Sequence, residues 1–209
     1  DITTDFRYIP LTFEGQWQDV KNSTATLKYY DYACAKATKA SGANSLEFNL
    51  KNQVGWIVVE HLFTEETKGV TSLTLSTTDP LFTSSCTLDA TTSTISGNKY
   101  STSLTLTLGT ANGAGLDFDK GEYARAFFTT APVDLSGKEL TITAHKSDGT
   151  SIVLLQKTLG DGNIQKNSTA LIKTESAKTF KSVASIKGRQ FGSIEDAIAN
   201  AINTGKNPT

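Results

Sequence analysis

Apolar and polar residues change places at every second position over much of this chain, the period of a strand with one face buried. The plainest run is Ser101 to Leu108 (STSLTLTL), which sets Leu104, Leu106 and Leu108 on one face and hydroxyl residues on the other. Leu46, Phe48 and Leu50 alternate with Glu47 and Asn49, Val70 to Ser76 brings Leu73 and Leu75 to one side, and Phe82 to Leu88 puts Cys86 on the side of Phe82 and Leu88. Val54 to Phe63 (VGWIVVEHLF) is apolar on both faces and predicts a strand covered on both sides, with Trp56 in the core in phase with Val54 and Val58. Tyr123 to Thr130 reads as an aromatic strand that stops before Pro132, which cannot donate to a central ladder. Lys138 to Lys146 alternates Leu140, Ile142 and Ala144 with Thr141, Thr143 and His145. Asp148-Gly149 then supplies a tight turn, and Ile152 to Gln156 returns antiparallel. Ser168 to Lys173 predicts another strand, and Lys178 to Ile186 one more.

Roughly eight strands from Leu46 onward, with turn signals about every 8 to 12 residues, predict an all-β fold, an antiparallel β-sandwich. Helical patterns do not alternate with the strands, which argues against a parallel α/β sheet. The first 44 residues are less regular and are expected to form an extended segment packing on a main domain at 45–176. Within them Ile9 to Phe13 reads as an edge piece confined by Pro10, Asn22-Ser23-Thr24 as a turn, and Leu27 to Tyr32 as a short aromatic strand. Ala33 to Ser41 has helix-forming composition over too few residues to stand alone. Residues 177–209 change character: Gly192 to Thr204 predicts a short C-terminal helix, with Ser193 and Asp196 at its start, Ile194, Ile198 and Ile202 on one stripe, and Gly205 and Pro208 after it. The run Gly188 to Ile198 resembles the entry segment of parallel β-helix surface proteins, which would make 177–209 the opening of a further domain.

Composition changes this picture little. Ser and Thr make up about a quarter of the 209 residues, as suits half-exposed sheet surface. A net charge of −1 with no basic patch implies neither nucleic acid nor an anionic membrane as partner. No apolar run reaches the length of a membrane span, and DITTDF at the start is not a signal peptide, so export would require a targeting segment outside this chain. Cys34 and Cys86 can bridge only if the fold brings their Cα atoms within about 7 Å; otherwise they are two buried free thiols.

Candidate chemistry is sparse, and the reading is of a protein that is not an enzyme. The two histidines, His61 and His145, have no nucleophile elbow or close-spaced ligands around them, so no catalytic residue, metal site or cofactor is assigned. Asp117, Asp119 and Glu122 give a Ca²⁺-like carboxylate density without the EF-hand spacing, which a strand-entry turn would also show. Gly113-Ala-Gly115 is followed by acidic residues that repel phosphate. Asn22-Ser-Thr24 and Asn167-Ser-Thr169 match a glycosylation sequon and are read as turn composition. Trp17, between two glutamines in the irregular segment, is either a stacking surface for a sugar or an anchor for that segment, with Tyr8, Tyr29 and Tyr30 as the other candidate ligand-contact aromatics.

The order of features from Tyr29 to Lys173 resembles the fimbrillin-like surface and pilus proteins of Bacteroides-type bacteria. Tyr30-Asp-Tyr32 before a loop, LEFNL, VGWIVVEHLF, TSLTLS, STSLTLTL and the AFFTTAPVD to SDGTS hairpin carry that resemblance. It implies transthyretin-like sandwiches, export to the cell surface or outer membrane as a lipoprotein through an anchor absent from this chain, and subunits that can polymerise by strand addition. The first sandwich of that family is too short here, no lipidation cysteine lies at the start, and the helical tail departs from a shaft subunit. The function expected from the resemblance is a non-catalytic structural or adhesion protein. Its partners would be other surface or pilus subunits or host or glycan ligands, bound through sheet edges and loops. The alternative is a carbohydrate-binding module of a glycan-capture system.

Overall fold

The structure, a computed structural model, describes residues 7–35, 41, 42, 44, 45, 47–109, 115–174, 184–186 and 189–191. Its strands run in chain order as β1 (Tyr8–Thr12), β2 (Gln16–Gln18), β3 (Ala33–Cys34), β4 (Lys51–Asn52), β5 (Gly55–Leu62), β6 (Thr67–Ser76), β7 (Phe82–Asp89) and β8 (Thr94–Ser101). There follow β9 (Ser103–Leu108), β10 (Leu116–Phe118), β11 (Tyr123–Thr130), β12 (Val133–Asp134), β13 (Glu139–Lys146), β14 (Ser151–Thr158), β15 (Asn163–Ile164) and β16 (Thr169–Lys173). The chain divides into two units, Asp1–Thr174 and Glu175–Thr209.

The first unit is an all-β sandwich. One sheet has the order β14-β13-β6-β9-β2, with β10 also on β6, and the other has the order β11-β5-β16. Leu73 and Leu75, Leu104 and Leu106, and Leu140 and Ile142 point inward from the first, and Ile57, Val59 and Phe128 from the second. Each such fully covered side chain contributes about 1.5–3 kcal/mol through loss of apolar surface to water. A long ribbon carries the larger sheet onward: β6 continues into β7 and β8 into β9, and at the bend Thr77 N–H donates to Thr102 C=O at 2.8 Å. Beyond that bend β1, β7 and β8 form a third sheet, whose Phe82, Cys86 and Leu88 extend the same core.

Among the described residues two pairings are parallel, where an antiparallel sandwich was expected throughout. β2 runs parallel to β9, with Trp17 opposite Thr107, and β16 runs parallel to β5, with Thr169 opposite Trp56 and Lys173 opposite Glu60. The second follows from the route of the chain. After β14 it crosses to the other sheet through β15, which pairs with β12, and so enters beside the start of β5. Gly55 permits that crossing, because a Cβ there would meet Ile164 Cγ2 at 2.5 Å and Gln165 O at 2.7 Å.

Other expectations shift locally. Leu27 to Tyr32 is not a strand: Leu27–Tyr29 is a 3-10 turn, built from Tyr29 N–H to Thr26 O and Tyr30 N–H to Leu27 O. The tyrosines on it reach back to the β1–β2 connection, which a flat strand would not let them do: Tyr30 Oη donates to Gly15 O at 2.5 Å and Tyr32 Oη to Thr12 O at 2.9 Å. Ala33 and Cys34, expected to open a helix, are β3, and residues 36–40 lie outside the described residues. Of the run Leu46 to Leu50, Leu46 lies outside them too, and Glu47 to Leu50 has no strand partner, so pairing starts only at Lys51. Trp56 and Val58 are half-buried while Ile57 and Val59 take the core, a phase one residue off the expected one, because apolar residues on both faces leave the phase undecided. β8 and β10 were not expected: TISGNKYS is largely exposed on both faces, and LDF is three residues long.

In the second unit Ala184–Ile186 (β17) and Arg189–Phe191 (β18) pair antiparallel. The helix expected over Gly192 to Thr204 lies outside the described residues.

Candidate interaction surfaces

The two flanks of the sandwich are finished differently. On one, β2 bridges the sheets. Its backbone pairs with β9, and its inward side chains, Gln16 and Gln18, serve the free edge of β11. Gln16 donates to Thr129 C=O at 2.7 Å and accepts from Thr129 N–H at 2.8 Å, and a further bond to Phe13 C=O holds its amide in place. Gln18 accepts from Phe127 N–H at 3.2 Å and donates to Arg125 C=O at 3.0 Å. Asn22, with φ 58°, continues the row by accepting from Arg125 N–H at 2.6 Å. Side-chain amides thus replace the backbone of a missing strand, and a buried edge that would otherwise leave several groups unpaired is satisfied.

Among the described residues the opposite flank has no such bridge: there β14 pairs with β13 alone and β16 with β5 alone. Between them lies a groove of about 190 Å³ whose apolar walls include Leu135, Leu155, Leu159, Ile164 and Ile172, with Lys157, Asp161 and Lys173 also lining it. Val153 on β14 and Leu171 on β16 are 58% and 53% exposed. A register shift between Ile142 and Thr143 leaves Leu154 as an extra residue on β14, a bulge that twists this edge.

A third surface is the outward face of the larger sheet. The register sets His145 beside Ser72, Ser72 beside Thr107, and Thr107 beside Trp17. In the next row Thr143, Thr74 and Thr105 line up. Thr74 and Thr105 hydroxyls bond at 3.1 Å, and His145 touches Thr74 Oγ1 at 3.2 Å and Ser151 Oγ at 2.9 Å. At the β2 end Trp17 stacks on Tyr29, centroids 5.0 Å apart at 26°, and meets Tyr30 edge-on at 5.8 Å. The fold therefore brings together three of the four aromatics singled out from sequence. Trp17 and Tyr29 are exposed, Tyr30 is buried behind them, and Lys28 Nζ lies 5.1 Å from the Tyr29 ring. Tyr8 is elsewhere, on β1 with the Arg7 guanidinium 4.9 Å from its ring.

The remaining candidates are occupied structurally. His61 packs edge-on against Phe63, its Nδ1 faces Thr174 Oγ1 at 2.5 Å, and burial pushes its pKa down. Asp117 accepts from Gly69 N–H, and Glu122 accepts from Lys21 Nζ and from Asp119 N–H, so these carboxylates face different partners. Among the described residues no cluster of three or more His, Cys, Asp or Glu could hold a metal. Cys34 and Cys86 are free and buried, and burial raises the Cys86 thiol to about 11. Glu60, beside His61, is gripped by Arg125 at 2.8 Å and Lys173 at 3.3 Å; the Arg125 hydrogen bond is the main cause of its lowered pKa. Sequence reading missed Gln16 and Gln18 altogether. Their signal was two polar residues at i and i+2 with a tryptophan between them, the wrong way round for a strand that buries its aromatic.

No family model and no curated protein matches the chain. Among the crystal structures that resemble it are two that are each described as a "putative cell adhesion protein". One is from Bacteroides ovatus, with 13% identity, a TM-score of 0.49, and 81% of this chain aligned to 55% of that one. The other is from Bacteroides uniformis, with 12% identity, a TM-score of 0.47, and 81% aligned to 61%. The chain thus spans less than two thirds of either of these proteins.

Proposed function

We propose that this chain is a non-catalytic cell-surface protein of fimbrillin-like type, structural and adhesive, which takes hold of partners through its sheet edges and loops. Its principal contact is the flank between β14 and β16, where an extended segment of another surface or pilus subunit, or of a host ligand, adds a strand. Export and a lipid anchor at the outer membrane, supplied from outside this chain, would place it there. The observation that carries the reading is the contrast of the two flanks. One edge is closed by Gln16, Gln18 and Asn22, while the other keeps an apolar groove between two singly paired strands.

Hydrogen exchange tests this, with a panel of synthetic peptides of alternating Val or Ile and Thr as probes. Strand addition should slow exchange in β14 or β16 of the wild type and leave the Val153→Lys, Leu171→Lys double variant unchanged, since edge lysines block pairing. Equal exchange with and without every peptide in the wild type would overturn the proposal.

A further inference from the structure

A different surface from that flank points to a ligand of definite chemistry. We infer that the outward face of the six-stranded sheet, ending on the Trp17–Tyr29 stack, binds an extended, uncharged polysaccharide.

Three observations converge. The first is the stack: Trp17 is 36% and Tyr29 54% exposed, so a hydrophobic pair that could have been buried stands at the edge of a polar sheet. The apolar face of a pyranose ring stacks on an indole or phenol in the same way. The second is the lattice leading to it. From β13 to β9 its rows offer only hydroxyls and one imidazole, with Val153 of β14 beyond Thr143; the register sets Ser72 beside Thr107, and mutual bonds orient Thr74, Thr105 and His145. Each strand crossed presents the next residue of a row about 4.8 Å on, close to the rise per sugar of an extended β-linked chain. The third is a groove of about 190 Å³ beside this face, between β9 and the β7–β8 ribbon, lined by the hydroxyls of Thr83, Ser101, Ser103 and Thr105 and by apolar Phe13 and Leu104, with Gly15, the residue two before Trp17, also lining it. Gly15 has φ +72° and open space where a Cβ would stand, so the backbone beside the stack is left uncovered.

Charge selects among ligands. The rows carry no Lys, Arg, Asp or Glu, and Glu14 at the groove has Lys99 3.6 Å away. Along these rows an anionic glycan or an acidic peptide would find no counter-charge, Lys28 standing at the Tyr29 end of the stack, whereas a neutral glycan finds hydroxyl partners on the rows and a stacking face beyond them.

Affinity electrophoresis in native gels containing hydroxyethylcellulose, xylan, galactomannan or laminarin, with heparin as the anionic control, is the test. At least one neutral glycan should retard the wild-type chain, and Tyr29→Ser should weaken that binding about tenfold or more, as loss of an aromatic anchor does. Thr105→Lys, on the sheet and away from the stack, should weaken it as well. The Leu171→Lys variant should bind like wild type, separating this site from the open flank. No retardation by any neutral glycan, retardation by heparin alone, or retardation that survives both Tyr29→Ser and Thr105→Lys would overturn the inference.

Discussion

Gln16 is 1% exposed and yet polar, and three backbone groups depend on it. Replacing it with alanine leaves Thr129 N–H and C=O buried and unpaired, so Gln16→Ala should lower unfolding free energy by about 2–4 kcal/mol, read from urea denaturation. A loss comparable to that of a surface substitution would show that water takes over the role. Carboxylates set the acid limit. Hydrogen bonds from Arg125 to Glu60, Arg7 to Asp89, Lys21 to Glu122, Ser136 to Asp134 and Thr150 to Asp148 hold each acid below its ordinary pKa. Their contribution is therefore complete above the ordinary carboxylate range, near pH 4, and is lost as pH falls from there through the lower folded values. The urea midpoint should drop between pH 6 and pH 3; a constant midpoint would contradict these pairings. Asn22 and Asn167 illustrate what was legible at this scale. Both begin an Asn-Ser-Thr triplet, and both have left-handed backbone, φ 58° and 57°, which asparagine tolerates. Turn chemistry accounts for the motif. Trp56 was not legible, because its strand is apolar on both sides.

At the scale of elements, alternation was a sound guide wherever one face met the core. The runs ending at Leu108, Thr130 and Lys146 and the Asp148-Gly149 hairpin appear where the pattern sets them. It failed where a strand has no buried face to report. Thr94–Ser101 is held by its pairing with β7 and by the long ribbon, neither of which leaves a mark in its own residues. It failed in the opposite sense at Phe48 and Leu50, which alternate but stay 62% and 69% exposed. Direction was also hidden, since a strand reads alike whether it pairs parallel or antiparallel. The element with the most at stake is β2. Trimming the chain through residue 22 removes β1 from β7, β2 from β9 and the amide row from β11 together. Light scattering on the trimmed protein should show larger species than the intact chain forms; an unchanged mass and stability would mean that these edges protect themselves.

Over the whole molecule, the sandwich class was readable because strand count and turn spacing constrain it, while the layer assignments were not. They depend on pairings between distant residues: Tyr8 with Asp89, Thr169 with Trp56, Gln16 with Thr129. Such contacts must pay the entropy of closing long loops before they contribute. Refolding followed by tryptophan fluorescence should thus take milliseconds to seconds, the range of β-sandwiches. Microsecond folding would mean that the local hairpins, not the long pairings, set the barrier.

The amide seam has a further consequence for how such a protein can change over generations. Glutamine and glutamate codons differ by one base. At position 16 that base would set an oxygen against the Thr129 and Phe13 carbonyls, which now receive hydrogens from the same amide nitrogen. The ionised carboxyl repels them, and the protonated one can donate to one of them again. A fixed closure would thereby become a latch that opens in neutral surroundings and shuts in acid, acquired in a single mutational step without any change of fold.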